Sequence, residues 1–442
     1  MPAPAIAIRA ASPRAQRPRQ TAVALWALAP IGVVSAVLSF LRMTPAAAAA
    51  IWAEDGRDFI ANRAASTFGA DWLTPYAGYL HLVPRIVADV TVTFVPSPAW
   101  AWSMSIGSSL IVGLVSVAAF LATQHLLPWL PARIFLAFVP TLTPVIVDQV
   151  VGNAANLHTY FLWLIPFLFF VFPRRWWAAY AVGVLMLVSA LTEIQAVIFA
   201  PLVFWRARDR TGWPARVGYI VSMGAQTFSA LTSDREAYSD GPRPGLGDVA
   251  AGYVANGVGG VLTGRSSYVG KLIAMTGWGV LGLVAIVLLA ALVYVVLRGT
   301  RTQRVLAGVL AYGSVASFAI GYVLNPRPGL YYSTYTPESW LGFGLLRYGV
   351  PSAMFLVSIA IIAMAVGRSR GGRILPAGIA LVLIVLSVAG FRSSPGVRAD
   401  GPEWDVERDK AAAVCATLSE DAPIDIAIAP HWVTSLTCDD LK

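Results

Sequence analysis

The chain alternates long apolar runs with short polar connections, and the runs dominate it. Runs of roughly 16–25 residues have the length an α-helix needs to cross the hydrocarbon core of a bilayer. The pattern predicts spans at 21–41, 99–124, 134–147, 157–172, 176–191, 194–205, 215–231, 272–297, 305–324, 348–366 and 374–390. The expected fold is an all-α polytopic membrane protein of about eleven transmembrane helices, some short against the ~20 residues of a full crossing. The run at 194–205 is the weakest and fits a re-entrant segment. The first run exceeds the ~7–15 residues of a signal-peptide core, which favours a retained anchor over cleavage near Ala46–Ala50.

Charge then orients these spans. Arg133, Arg174, Arg175, Arg206, Arg208, Arg210, Arg216, Arg298, Arg301, Arg304, Arg368, Arg370 and Arg373 fall in alternate connections, where Asp209 is the only acid. Basic connections mark the cytoplasmic side, so the N-terminus is expected inside and the C-terminus outside a plasma membrane. The acids Glu54, Asp55, Asp58, Asp71, Asp89, Glu193, Asp248 and Glu338 fall on the outer side. The resulting organisation is a disordered basic tail at 1–20, a membrane domain at 21–391 and a small outer tail at 392–442. The first outer loop, 43–98, is long and amphipathic, and its apolar spacing predicts two short helices lying on the membrane. The Gly-, Asp- and Pro-rich segment 233–267 reads as mobile. In the tail, 404–418 reads as a short helix and "IDIAI" at 424–428 alternates like a half-buried strand.

Composition agrees with a membrane protein: 57% of residues are hydrophobic, only 12% are charged, and the mean hydropathy is +0.67. The net charge of +9 follows from cytoplasmic arginines and calls for no nucleic acid. The only cysteines, Cys415 and Cys438, both lie in the outer tail, an oxidising setting that predicts a disulfide between them. Neither a Walker motif, a dinucleotide fingerprint nor a cysteine–histidine metal pattern is evident, so nothing points to an ATP-driven pump or a zinc enzyme.

The candidate chemistry concentrates in residues 51–85. Glu54 and Asp55 would be a solvated pair at a helix end, or a general base, or a holder for a divalent cation such as Mg or Mn against a phosphate. Arg57 and Arg85 would anchor headgroups or clamp a lipid-linked phosphate, with His81 as a further donor or a structural residue. Arg347 opens a span on the outer side, against the usual charge bias, and is placed to meet an anionic group. Asn153, Asn156 and His158, in "GNAANLHTY", would cap a helix or line a cavity. Tyr76 and Tyr79 belong to an interfacial aromatic belt or to a sugar-stacking surface.

The segments "WAEDGRDF", "PYAGYLHLVPR", "GNAANLH" and "RYGVP", within a layout of one span, a long outer loop and about ten further spans, resemble the GT-C superfamily of integral-membrane glycosyltransferases, in particular its actinobacterial members. The resemblance implies a polyprenyl-phosphate sugar as donor and inverting transfer to a cell-envelope glycan or glycolipid on the outer face. It places the catalytic acid of the first outer loop at Asp55 or Glu54. The small tail departs from members with larger soluble C-terminal domains and leaves the acceptor open. A lipid or lipid-linked-sugar flippase, and a non-catalytic envelope-assembly protein, are the other classes. A transporter would favour repeated halves and mid-membrane ionisable residues, of which Glu193 alone is a candidate.

Overall fold

The computed structural model describes residues 28–146, 150–233, 243–326, 329–392 and 396–441, so the expected basic tail at 1–20 lies outside the described residues. About 71% of the protein is helical. Among the described residues, four helices are long and apolar enough to cross a membrane: Ser97–Ala122, Gly279–Arg298, Arg301–Val323 and Gly349–Ser369. Shorter apolar helices are Leu28–Leu41, Ala155–Phe169, Trp176–Thr192, Ile194–Phe204 and Ile374–Ala389. Gly349–Ser369 is the central helix, with 94% of its apolar window buried, whereas Gly279–Arg298 is peripheral, with 11% buried.

Several expected elements take a different form. The run at 134–147 forms two short helices, Leu130–Ala137 and Val139–Leu142, each with a proline in its first turn. Pro140 has no N–H to continue the helical ladder, and the run is divided at Phe138, between the two helices. The run at 194–205 is a tight 3-10 helix, Ile194–Phe204, with Pro201 inside it. The helix Trp213–Thr232 turns Arg216, Ser222, Gln226 and Ser229 inward. Gln226 binds the Leu80 amide at 2.9 Å and the Ala190 carbonyl at 3.1 Å, tying the loop 43–98 to the helix bundle. A Cβ at Gly218 would strike the Gly183 carbonyl, so these small residues let the helices Trp213–Thr232 and Trp176–Thr192 approach backbone to backbone.

The segment read as mobile is largely helical where it is described: Leu246–Tyr253, Val254–Val258, Gly259–Leu262 and Ser266–Thr276. Asp248 explains much of this order. Its carboxylate accepts the Gly245 N–H at 3.0 Å, capping a helix, and the Ser333 N–H at 2.8 Å, joining the segment that precedes the helix Pro337–Leu341.

In the loop 43–98 the helix Leu82–Phe94 is preceded by a π-helical turn, Asp55–Ile60. The tail packs against this loop. Its helix Trp404–Cys415 leads to two antiparallel strands, β1 (Pro423–Ile428) and β2 (Trp432–Thr437), paired with Ile426 opposite Thr434. Only the first strand was expected. The Ala429 N–H donates to the Ile51 carbonyl at 3.0 Å, and the Thr434 hydroxyl donates to the Gly56 carbonyl at 2.8 Å. A disulfide joins Cys415 to Cys438, and Trp404 stacks on Trp100 at 5.8 Å.

Candidate functional site

Glu54 and Asp55 are adjacent, and the entry to the π-helical turn sends their side chains to different partners. Glu54 Oε1 accepts a hydrogen bond from Arg347 Nη1 at 3.0 Å. Asp55 Oδ2 accepts the Ala154 N–H at 3.0 Å, and its Oδ1 accepts the Ala155 N–H at 2.7 Å. Asp55 thereby caps the 3-10 turn Ala155–Leu157, which runs directly into the helix His158–Phe169. The carboxylates are thus engaged separately rather than facing one cation. Asp55 is fully buried, which corrects the expectation of a loop residue outside any core. The cause is the tail: Arg398 crosses behind it, donating to the Ala50 carbonyl at 2.8 Å, the Gly152 carbonyl at 2.7 Å and Ser105 Oγ at 2.8 Å. Gly56 is needed for close packing and not for a tight turn. A Cβ there would lie 2.7 Å from Ile428 Cδ1.

The helix capped by Asp55 presents His158 to Glu193. The His158 Nδ1 is hydrogen bonded to Glu193 Oε2, while Glu193 Oε1 accepts the Gln195 N–H at 2.7 Å. Glu193 is the cap residue of the 3-10 helix Ile194–Phe204, which fixes its position. In the neutral tautomer that donates from Nδ1 to this carboxylate, the lone pair lies on Nε2. The sequence reading did not include Glu193 among the site residues, although an acid at a junction between two apolar runs was the available signal.

Arg347, Tyr76, Tyr79, His158, Glu193 and Gln195 line one cleft of about 350 Å³. Ile194, Val197, Leu324 and Pro351 give it an apolar wall. Arg347 is set by its neighbour Leu346, whose N–H donates to Asn256 Oδ1 at 2.7 Å. Tyr76 and Tyr79 exchange backbone hydrogen bonds at 2.9 and 3.1 Å across a turn at Ala77 and Gly78, both with positive φ. A second groove of about 430 Å³, bordered by Leu38, Phe138, Leu142, Val261, Ile361 and Leu383, has no charged residue in its lining and offers no comparable chemistry.

The electrostatics separate the two first-loop acids. Burial raises the pKa of Asp55 to about 7, against the opposing pull of Arg398 and the two amide donors. Burial also disfavours ionised Glu54, but the attraction of Arg347 outweighs it and the net shift is downward. Glu54 is therefore a carboxylate at neutral pH. Burial, followed by the neighbouring His158, holds His81 well below the ordinary imidazole value, so His81 is neutral. Its ring lies 4.2 Å from Tyr79 and 6.0 Å from His158, behind the cleft.

The remaining candidates have structural partners. Arg57 pairs with Asp58 at 3.0 Å and stacks on Trp432 at 4.0 Å, joining the loop to the tail. Arg85 is buried and pairs with Asp71 at 3.0 Å. Asn153 Oδ1 accepts the backbone N–H of Asn156 at 2.9 Å and its side-chain N–H at 2.7 Å, closing the turn that leads to His158. No family model, curated protein or solved structure matches the chain.

Proposed function

We propose that the protein is an inverting glycosyltransferase of GT-C type with about eleven spans, moving a sugar from a polyprenyl phosphate to a cell-envelope acceptor on the outer face of the membrane. The observation that carries this reading is the cleft itself. It places an arginine backed by a buried glutamate and a histidine backed by a second buried glutamate beside an apolar wall. Arg347 suits the phosphate of the donor, since a charged fork matches phosphate oxygens. The apolar wall suits the first isoprene units.

The acceptor O–H gives its proton to His158 Nε2 while its oxygen bonds to the anomeric carbon. The bond from that carbon to the phosphate oxygen breaks, and the electron pair leaves with polyprenyl phosphate, next to Arg347. Glu193 holds the imidazole and stabilises the imidazolium that forms. This reading departs from the role the resemblance gives to the first-loop acids: Glu54 orients Arg347, and Asp55 positions the helix that carries His158. A divalent cation is not required by any step.

The test is the purified protein in lipid nanodiscs with a panel of polyprenyl-phosphate hexoses and pentoses, supplied with envelope glycan or glycolipid as acceptor. Transfer of label from at least one donor, with release of polyprenyl phosphate, is expected. The absence of both transfer and binding for every donor would overturn the proposal.

A further inference from the structure

The groove of about 430 Å³ bordered by the central helix Gly349–Ser369 and the helix Ile374–Ala389 is far larger than a packing defect, since folded interiors leave few voids bigger than a water molecule. Its walls are apolar: Val357 and Ile361 from the central helix, Leu383 and Ile384 from Ile374–Ala389, joined by Leu38 and Phe138. Thr143, one of its two hydroxyl residues, donates its hydroxyl to the Val139 carbonyl at 2.8 Å. Such a space offers water few partners and suits a hydrocarbon chain. Along Ile374–Ala389 only Pro376 is buried, so this helix leaves its apolar surface to something other than protein.

The charges stand at one end. Thr143, Pro144 and Phe391 border the groove there, and buried Arg42 donates to their carbonyls at 3.1, 3.2 and 3.1 Å. Arg265 Nη2 donates to the next carbonyl, that of Arg392, at 3.5 Å, and its Nη1 to the Tyr268 hydroxyl at 3.4 Å. Arg392 itself is exposed. Three arginines thus gather at one end of the groove, and among the described residues none of them is in an ion pair. Carbonyls occupy the guanidinium of Arg42, whereas half-buried Arg265 keeps N–H donors to spare. All three fall in the connections that otherwise carry the acids, so the bias that orients the spans does not call for them. Guanidinium groups without carboxylates at the end of an apolar groove between helices are complementary to an amphiphile with an anionic head.

We infer that this groove is a binding site for an anionic phospholipid of the surrounding bilayer, one acyl chain lying against the two helices and the phosphate held by Arg265 and Arg392. The inference is independent of the glycosyl-transfer reading, because the groove shares no lining residue with the cleft of Arg347 and His158. The lipid fills the gap and offsets the charge of Arg42, so its binding stabilises the protein.

The experiment uses the full chain, stripped of lipid in mild detergent and titrated with phosphatidylglycerol, with phosphatidylcholine of the same chains, with polyprenyl phosphate or with inorganic phosphate. Native mass spectrometry counts bound lipid, and thermal unfolding reports its effect. Phosphatidylglycerol should bind about tenfold tighter than phosphatidylcholine or better and raise the melting temperature, and inorganic phosphate should not. Arg265→Gln and Arg392→Gln should each weaken phosphatidylglycerol about fivefold and leave phosphatidylcholine unchanged. Ile384→Trp, at a half-exposed wall residue, should block the chain and abolish the tight binding. Arg347→Gln should leave it intact. Equal wild-type binding of the two phospholipids would overturn the inference, and that comparison requires no variant to fold. Equal stabilisation by inorganic phosphate would overturn it by showing a site for the free anion. Displacement of phosphatidylglycerol by polyprenyl phosphate, with donor binding lost in Ile384→Trp, would overturn it by giving the groove to the donor's tail. Unaltered phosphatidylglycerol binding in Arg265→Gln and Ile384→Trp would place the lipid elsewhere and overturn it too.

Discussion

Glu54 and Arg347 stand 293 residues apart in the chain and meet at 3.0 Å, joining the loop 43–98 to the start of the central helix. Glu54 is nearly sealed while a quarter of the Arg347 side chain is open to the cleft. The buried partner is thus the holder and the open partner the working group. Removing either leaves a charge without its counter-ion.

Glu54→Gln should therefore destabilise the protein by about 2–3 kcal/mol, below the cost for a fully sealed pair. It should weaken donor binding by about tenfold, because Arg347 loses its orientation. Arg347→Gln should abolish donor binding more completely, since it removes the charge that meets the phosphate. Thermal unfolding and donor titration of the two variants check this. If Glu54→Gln binds donor as wild type does, the pair is only structural.

Asp55 gives a prediction in pH. An unfolded aspartate titrates near ~3.9, whereas the buried folded one is raised to about 7. Between those values the folded protein holds a proton that the unfolded chain has lost. The contribution of Asp55 to stability is therefore full below the lower value and falls as pH rises through the upper one. Wild type should melt at a higher temperature at pH 5 than at pH 8, and Asp55→Asn should flatten that slope. The substitution also turns an amide N–H toward the Ala154 or Ala155 N–H, which should cost about 1–3 kcal/mol. An unchanged slope in Asp55→Asn would assign the pH dependence elsewhere.

The membrane character was legible because a bilayer needs long apolar runs, and the helices at 97–122, 279–298, 301–323 and 349–369 follow from that alone. The run at 134–147 was expected as one span, yet it is divided next to Pro140, because hydropathy averages over the residue that interrupts the ladder. The site was half legible. Glu54, His158 and Arg347 were visible as polar residues at the ends of apolar runs, and the cleft brings Arg347 and His158 together. The separate tasks of Glu54 and Asp55 were not visible, since adjacent acids look alike until the turn directs them. Gln195 carried no signal, because one uncharged polar residue in an apolar run reads as neutral packing.

His158 and Glu193 separate catalysis from binding. His158→Gln removes the proton acceptor, and loss of a general base typically costs about 10²–10⁴-fold in rate. The fall should lie in kcat, with donor affinity within about threefold of wild type, because the phosphate stays on Arg347. Glu193→Gln keeps a hydrogen-bond partner for Nδ1 and loses its charge, so a smaller fall is expected, about 10–100-fold, as for the carboxylates that orient metal-ligating histidines. Single-turnover transfer rates measured at saturating donor distinguish the two. Equal, near-normal rates in both variants would remove His158 from the chemistry and return the role to the first-loop acids.

The tail supplies the last prediction. It touches the loop 43–98 through the Ala429 N–H on the Ile51 carbonyl, the Thr434 hydroxyl on the Gly56 carbonyl, Arg57 stacked on Trp432, and Ile428 seated on Gly56. Glu54 and Asp55 lie within that contact, so loosening it should disturb the cleft without touching any lining residue. Gly56→Ala places a methyl 2.7 Å from Ile428 Cδ1 and 2.9 Å from Ile51 Cγ2, and the overpacking should cost about 1–3 kcal/mol. Adding Ile428→Val deletes the nearer clash and should recover part of both stability and transfer, a coupling that a double-mutant cycle measures directly. Reducing the Cys415–Cys438 bond, which closes a separation of 23 residues, should remove about 3 kcal/mol from the tail by the chain-entropy account. It should lower transfer in the same direction as Gly56→Ala. If the reduced protein and the Gly56→Ala variant both unfold earlier yet transfer sugar at the wild-type rate, the tail stabilises the protein without positioning the site, and the link from Arg398 through Asp55 to His158 has no functional consequence.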